Sequence, residues 1–316
     1  MNIRKLSCLV FLILVLLSTL QGCNRTPGTD NDYSASIVSG GMERTYSVHV
    51  SSSYDPSIPT PLVIVLHGGG GTGKGMVKLT GFNDIADKEN FIVVYPNGFE
   101  KHWNDGRGVQ WQSHVENTDD VSFISALIDH LSAELNINAS MVYVAGISNG
   151  GMMSHRLGCE LSQKIAAISP VASNIPANQA SIWSPSRPVP VLIINGTDDP
   201  LEHWKGGEIR LGRNTYGVVL SVADTVKFWV EKNQCSASPV ITQLPDTDPT
   251  DGTTVRTEVY GGCQDGAEVV LYAIEGGGHT WPGGLQYLPQ SVIGRTSREF
   301  NASEIIWQFF KVHTIE

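Results

Sequence analysis

The chain has 316 residues, 41% of them hydrophobic, which suits one large domain with a sizeable core. Its formal net charge is −10 and it carries no basic patch, which argues against nucleic acid as a partner. No repeat of fixed period interrupts it.

Residues 1–22 read as an export signal. Arg4 and Lys5 precede the apolar run Leu6 to Leu20, which is shorter than the roughly 20 residues of a spanning helix. The segment closes on "LQGC", Leu20 to Cys23, which resembles the bacterial lipobox. Cys23 is therefore the expected lipidation site, and a membrane the expected partner of a lipid-anchored protein of the cell envelope; a secreted protein is the alternative. Residues 23–40 are expected to form a flexible tether and residues 41–316 the folded domain. Cys8 leaves with the signal and Cys23 carries lipid, so at most one disulfide can form within the chain among Cys159, Cys235 and Cys263. Cys235 and Cys263, both near turns, are the expected pair; Cys159 sits in a helical pattern and is expected to be a buried thiol.

Along the domain, "MERTYSVHV" (Met42 to Val50) alternates like a half-exposed strand. "LVIVL" (Leu62 to Leu66), "FIVVYP" (Phe91 to Pro96) and "MVYVAG" (Met141 to Gly146) are short, apolar throughout and rich in β-branched residues. That is the pattern of parallel strands buried on both faces. Val121, Ile124, Leu127, Ile128 and Leu131 recur at helical spacing within Asp119 to Leu135. A helix is also expected over Gly151 to Leu161, buried strands over Ile165 to Ala172 and Val189 to Gly196, and a helix over Ser221 to Lys232. Glu268 to Ile274 then reads as a strand and Ala302 to Val312 as the last helix. Strands alternating with helices predict an α/β fold with a mostly parallel central sheet and helices on both faces.

The glycines after the first apolar run pose a choice. Gly68, Gly73 and Lys74 fit the spacing of a nucleotide phosphate loop, but Gly75 stands where that motif needs a hydroxyl for magnesium. Nucleotide is also scarce outside the cytoplasm, so no nucleotide is expected and Lys74 reads as a solvated loop residue. The segment "GISNGG", Gly146 to Gly151, lies between a strand and a helix and has the G-x-S-x-G form of a nucleophile elbow. Its tight turn lifts Ser148 above the sheet edge and aims the N–H of Asn149 at a reacting carbonyl. A serine hydroxyl needs a base, and the base an orienting acid. "VLIINGTDDP" puts Asp198 and Asp199 past a buried strand, and "IEGGGHTWPGG" puts His279 in a glycine-rich loop after the last strand. Their chain order, Ser, then Asp, then His, is that of the α/β-hydrolases. "HGGGG", His67 to Gly71, then supplies the second oxyanion N–H, from Gly69 or, second, Gly70. Trp103, Trp111, Trp204 and Trp281 lie in loops near these motifs and are candidates to line a site for sugars or aryl rings, with packing as the other reading. None of the histidines forms a tight metal pair, so no metal is expected.

Together, "LHGGGGTG", "WNDGRG" (Trp103 to Gly108), "DDVSFI", "YVAGISNGGMMSHRL", "INGTDDP" and "GGGHTWPGG" resemble the poly(3-hydroxybutyrate) depolymerase family of esterases, close to the feruloyl and acetyl xylan esterases. The resemblance runs from about Thr45 to about Trp307. It implies Ser148 as nucleophile, His279 as general base and Asp199 as orienting acid. It also implies an α/β-hydrolase fold, hydrolysis through an acyl-enzyme, and no cofactor. The expected substrate is a hydroxyalkanoate, feruloyl or acetyl ester, polymeric or polysaccharide-linked. An acyltransferase on the same scaffold and a non-catalytic surface binding protein are the alternatives. The family often has a side chain where this chain has Gly69, which leaves a backbone N–H donor intact.

Overall fold

The computed structural model describes residues 32–315; the signal segment and Cys23 lie outside them. Twelve strands are present among the described residues: β1 (Asp32–Ser39), β2 (Met42–Val50), β3 (Thr60–Leu66), β4 (Ile92–Pro96), β5 (Ile137–Ile147), β6 (Ala167–Val171), β7 (Val191–Gly196), β8 (Gly207–Leu211), β9 (Asn214–Val219), β10 (Val240–Gln243), β11 (Thr254–Tyr260) and β12 (Val269–Glu275). The helices are α1 (Gly73–Thr80), α2 (Phe82–Glu89), α3 (Gln112–Val115), α4 (Asp120–Glu134), α5 (Asn149–Glu160), α6 (Val222–Lys232), α7 (Gln290–Ile293) and α8 (Ala302–Phe310).

Ten strands form one sheet in the order β1-β2-β4-β3-β5-β6-β7-β12-β11-β10. The six from β4 to β12 run parallel, and antiparallel pairs close both ends. The expected mostly parallel sheet is found. Alternation explains its two dry faces. Leu62, Ile64 and Leu66 of β3 pack with Val142 and Val144 of β5 and Val191 and Ile193 of β7 on one side, under α4, α5 and α6. Val63, Val65, Tyr143, Ala145, Leu192 and Ile194 face the other side, under α1, α2 and α8. Strands buried on both faces carry no polar alternation, which is why they read as continuous apolar runs. Helix starts are capped as their sequences suggest: Asp119 accepts the Ser122 N–H, Ser221 that of Asp224, and Asn301 those of Ser303 and Glu304.

Two expectations need correction here. The tether does not extend to residue 40, because Asp32 to Ser39 form β1 and pair along their whole length with β2. Tyr33, Ala35 and Ile37 alternate toward the core, enough to hold an edge strand. Lys74 is exposed, but on α1 rather than in a loop. The expected disulfide is present between Cys235 and Cys263, and Cys159 is a buried free thiol. No helix among the described residues is long and apolar enough to cross a membrane.

Candidate active site

Ser148 stands at the turn between β5 and α5, with φ 56° and ψ −124°. Such a backbone is costly for a residue with a side chain and persists only where its surroundings enforce it. Here the enforcement is close packing. A Cβ at Gly146 would lie 2.4 Å from the Gly150 carbonyl oxygen, and one at Gly150 would lie 2.4 Å from that of Leu66. The Ser148 N–H donates to the Val171 carbonyl at 3.0 Å, which ties the turn to β6.

The loop after β7 supplies Asp199, and the loop after β12 supplies His279. Asp199 Oδ2 lies 2.7 Å from His279 Nδ1, and both side chains are buried. Asp199 Oδ1 accepts the N–H groups of Leu201 and Glu202 at 2.8 Å each, which fixes the carboxylate. Burial alone would push the His279 imidazole down, but the Asp199 carboxylate outweighs it and the net direction is upward. Asp198 points elsewhere: it is exposed, and its carboxylate accepts only from the neighbouring Thr197 hydroxyl among the described residues.

The glycine loop after β3 is held from three directions. His67 Nε2 accepts the Gly98 N–H at 2.9 Å, so Nδ1 carries the proton and donates to the Gly68 carbonyl at 2.8 Å. Burial pushes this imidazole down to about 4, which keeps it neutral in that tautomer. The N–H groups of Gly70 and Gly71 donate to the carbonyls of Lys101 and Gly68.

The "WNDGRG" segment is a brace between this loop and the elbow. The Trp103 indole N–H donates to the His67 carbonyl, and the Trp103 backbone exchanges two hydrogen bonds with the Asn149 side chain. Asn149 Nδ2 also donates to Asp105, which pairs with Arg107. Asn104 donates its N–H to Asp120, which pairs with buried Arg44. A buried network of this kind stiffens its site when its members are satisfied, and Trp103, Asn149, Asp105 and Asp120 are each tied into it by hydrogen bonds.

Ser148, His279 and Gly69 line one cavity of about 670 Å³. That is mid-range for a small-molecule site. Its walls are mainly apolar or aromatic. Trp111 lies against His102 and Tyr216, with ring centroids 4.2 and 5.5 Å away and planes tilted by 31° and 35°, and Arg107 lies 4.9 Å over its ring. Ile209 and Leu211 come from the β8–β9 hairpin, and Leu285, Tyr287 and Ile293 from the segment before β-bridged Arg295. The cavity therefore takes in Trp111 but none of the other three tryptophans that were candidates to line it. Trp103 and Trp281 are fully buried; Trp103 spends its indole on the brace, and Trp281 packs edge-on to Phe82 and donates to Ser303. Trp204 is half-buried against the core. Three wall elements escaped the sequence reading: the β8–β9 hairpin, the 285–293 segment and Glu202. For the hairpin, alternating "EIRL" and "TYGVV" around "GRN" was the signal. Among the described residues no cluster of His, Cys, Asp and Glu is arranged to hold a metal ion.

A family model described as phospholipase/carboxylesterase matches residues 48–232. NocK of Nocardia uniformis subsp. tsuyamanensis, named as an esterase, is 30% identical over 86% of this chain and 80% of its own length. Feruloyl esterase B of Piromyces equi is 28% identical over 61% of this chain, which spans only 34% of that larger protein. The solved acetyl xylan esterase from Aspergillus awamori superposes on 78% of this chain and 94% of its own, with a TM-score of 0.55 at 15% identity, and so shares the fold.

Proposed function

Because the chain belongs to the phospholipase/carboxylesterase family, esterases of the α/β-hydrolase superfamily, we propose that it is a serine carboxylic ester hydrolase working through Ser148, His279 and Asp199. The observation that carries the reading is the buried 2.7 Å contact of Asp199 with His279 in the wall of the cavity that the strained Ser148 also lines. Asp199 holds the imidazole with Nδ1 protonated, leaving Nε2 to take the Ser148 proton. The serine oxygen attacks the ester carbonyl, and His279 returns the proton to the leaving alcohol. Water, activated by the same nitrogen, then releases the acid. The negative oxygen of each tetrahedral intermediate is received by the N–H of Asn149 and that of Gly69. Gly69 is supported because Gly70 and Gly71 direct their N–H groups at backbone carbonyls. It is further supported because a Cβ at Gly69 would press on His102 and Trp111 at 3.3 Å, so this backbone sits against the cavity wall.

The acyl group in this proposal is aromatic, of the feruloyl kind, ahead of acetyl or hydroxyalkanoate. Support comes from the cavity volume, larger than an acetyl group needs, and from the cluster of aromatic rings around Trp111. The relative named a feruloyl esterase agrees with it. Export of the chain, with lipid on Cys23, belongs to the same proposal, and the Cys235–Cys263 bond supports it because such bonds persist in oxidising compartments. The test is a panel of 4-nitrophenyl acetate, methyl ferulate, acetylated xylan and hydroxybutyrate oligomers. Methyl ferulate is expected to give the highest kcat/KM of the unactivated esters. No hydrolysis across the panel defeats the enzymatic reading.

A further inference from the structure

Glu202 is a carboxyl that the chemistry above does not use. It is 3% exposed, yet it lines the cavity that holds Ser148 and His279. Its Oε2 accepts the Asn174 N–H at 3.0 Å, and its own N–H donates to Asp199. Its Oε1 is buried and has no hydrogen-bond partner among the described residues. A buried polar atom normally has one, and an exception at a cavity wall calls for an explanation.

We propose that Glu202 Oε1 is a specificity contact that binds a free hydroxyl on the alcohol half of the substrate, beside the scissile ester. The assignment rests on the esterase reading. The alcohol half follows from chain geometry. Glu202 lies three residues beyond Asp199 and bonds it directly, so it sits with the acid–base pair, and the base is the group that faces the departing alcohol. The hydroxyl follows from the chemistry of the atom. Burial raises the carboxyl to about 8; the His279 and Arg107 charges oppose the rise and Asp199 adds to it. The group is therefore protonated at neutral pH. With Oε2 accepting from Asn174, Oε1 carries the proton and donates, and a hydroxyl oxygen is a good acceptor for it. The substrate class is then esters of vicinal diols and sugars, rather than of simple alcohols.

The experiment compares the ethyl and 2-hydroxyethyl esters of one cinnamic-type acid, which differ by a single hydroxyl two carbons from the ester oxygen. The wild-type protein is expected to favour the 2-hydroxyethyl ester in kcat/KM by about tenfold or more, as for a site built to pair with a hydroxyl. Glu202→Gln, whose amide can donate from the same place while its oxygen keeps Asn174, is expected to retain the preference. Glu202→Met, similar in length but without a polar end, is expected to bring the ratio close to one. Equal turnover of the two esters by the wild type overturns the assignment and leaves the esterase reading standing, and so does a preference unchanged in Glu202→Met. The wild-type ratio decides the matter even where a variant does not fold. No turnover of either ester, nor of 4-nitrophenyl acetate, overturns both.

Discussion

Asp199 holds His279 with one carboxylate oxygen while the other receives two backbone N–H groups of its own turn. The carboxylate is thus fixed before the imidazole meets it, and its neighbour Asp198 has no access to the same ring. Asp199→Asn is expected to lower kcat by up to about 10⁴-fold, the scale for losing the tautomer-fixing acid, with KM little changed. Asp198→Asn should cost far less. The acid limb of the kcat/KM profile supplies a second readout. Burial lowers the His279 pKa, but Asp199 outweighs it and the net direction is upward. In Asp199→Asn the limb should move to lower pH. Equal impairment of the two variants would reverse the assignment.

Ser148→Ala is expected to abolish ester turnover without loss of fold, since the turn is enforced by glycine packing and by the Val171 bond rather than by the hydroxyl. Steady-state rates alongside a thermal melt check both halves. Turnover near the wild-type rate would remove Ser148 from the reaction.

Glu202 also predicts a dependence of stability on pH. Its folded pKa of about 8 lies above the ordinary 4.5. Below 4.5 both states hold the proton and the group contributes no difference. Between 4.5 and about 8 the unfolded chain releases its proton while the folded one keeps it, so rising pH favours unfolding. Glu202→Gln removes this liability. Its melting temperature should match the wild type near pH 4 and exceed it progressively up to pH 8, read by calorimetry across that range. A difference constant with pH would show that the carboxyl does not titrate with folding.

The Cys235–Cys263 bond closes a loop of sequence separation 28. On the chain-entropy account that is worth about 3–4 kcal/mol, mostly through the unfolded state. The Cys235→Ala/Cys263→Ala protein should lose about that much in denaturant titrations while keeping its kcat, because the bond lies away from the cavity walls.

Trp111→Ala should raise KM for methyl ferulate several-fold and affect 4-nitrophenyl acetate less, because an aromatic wall matters most to an aromatic acyl group. Equal effects on both esters would indicate a packing role only.

The sheet was readable because strands buried on both sides have little choice of composition: β3, β4 and β7 are built on runs of Val, Ile and Leu, and the buried half of β5 is apolar from Val142 to Ile147. The site motifs were readable for a related reason. A turn as tight as the one at Ser148 leaves glycine as the sole residue that fits at 146 and 150. The tryptophans were not readable, since a large ring beside a motif can turn into the core as easily as toward a ligand. Trp103 and Trp281 turned inward, where an indole N–H found the His67 carbonyl and the Ser303 hydroxyl. Glu202 was hidden because its setting is made by residues far along the chain, Asn174 and His279, that no local spacing reveals. The first strand was missed through its polarity: serine alternates with Tyr33, Ala35 and Ile37, and the serines dominated the average.

That first strand has a practical bearing on any shortened version of the protein. β1 is the outermost member of the sheet and covers the free side of β2 along its length. A recombinant chain begun at residue 41 would uncover a row of unpaired peptide groups on a strand whose inner side chains, Tyr46 and Val48, are already committed to the core. Such a bare edge invites pairing with another copy. A chain begun at residue 31 keeps its own guard, and between these two starting points a span of ten residues separates a well-behaved preparation from one prone to self-association.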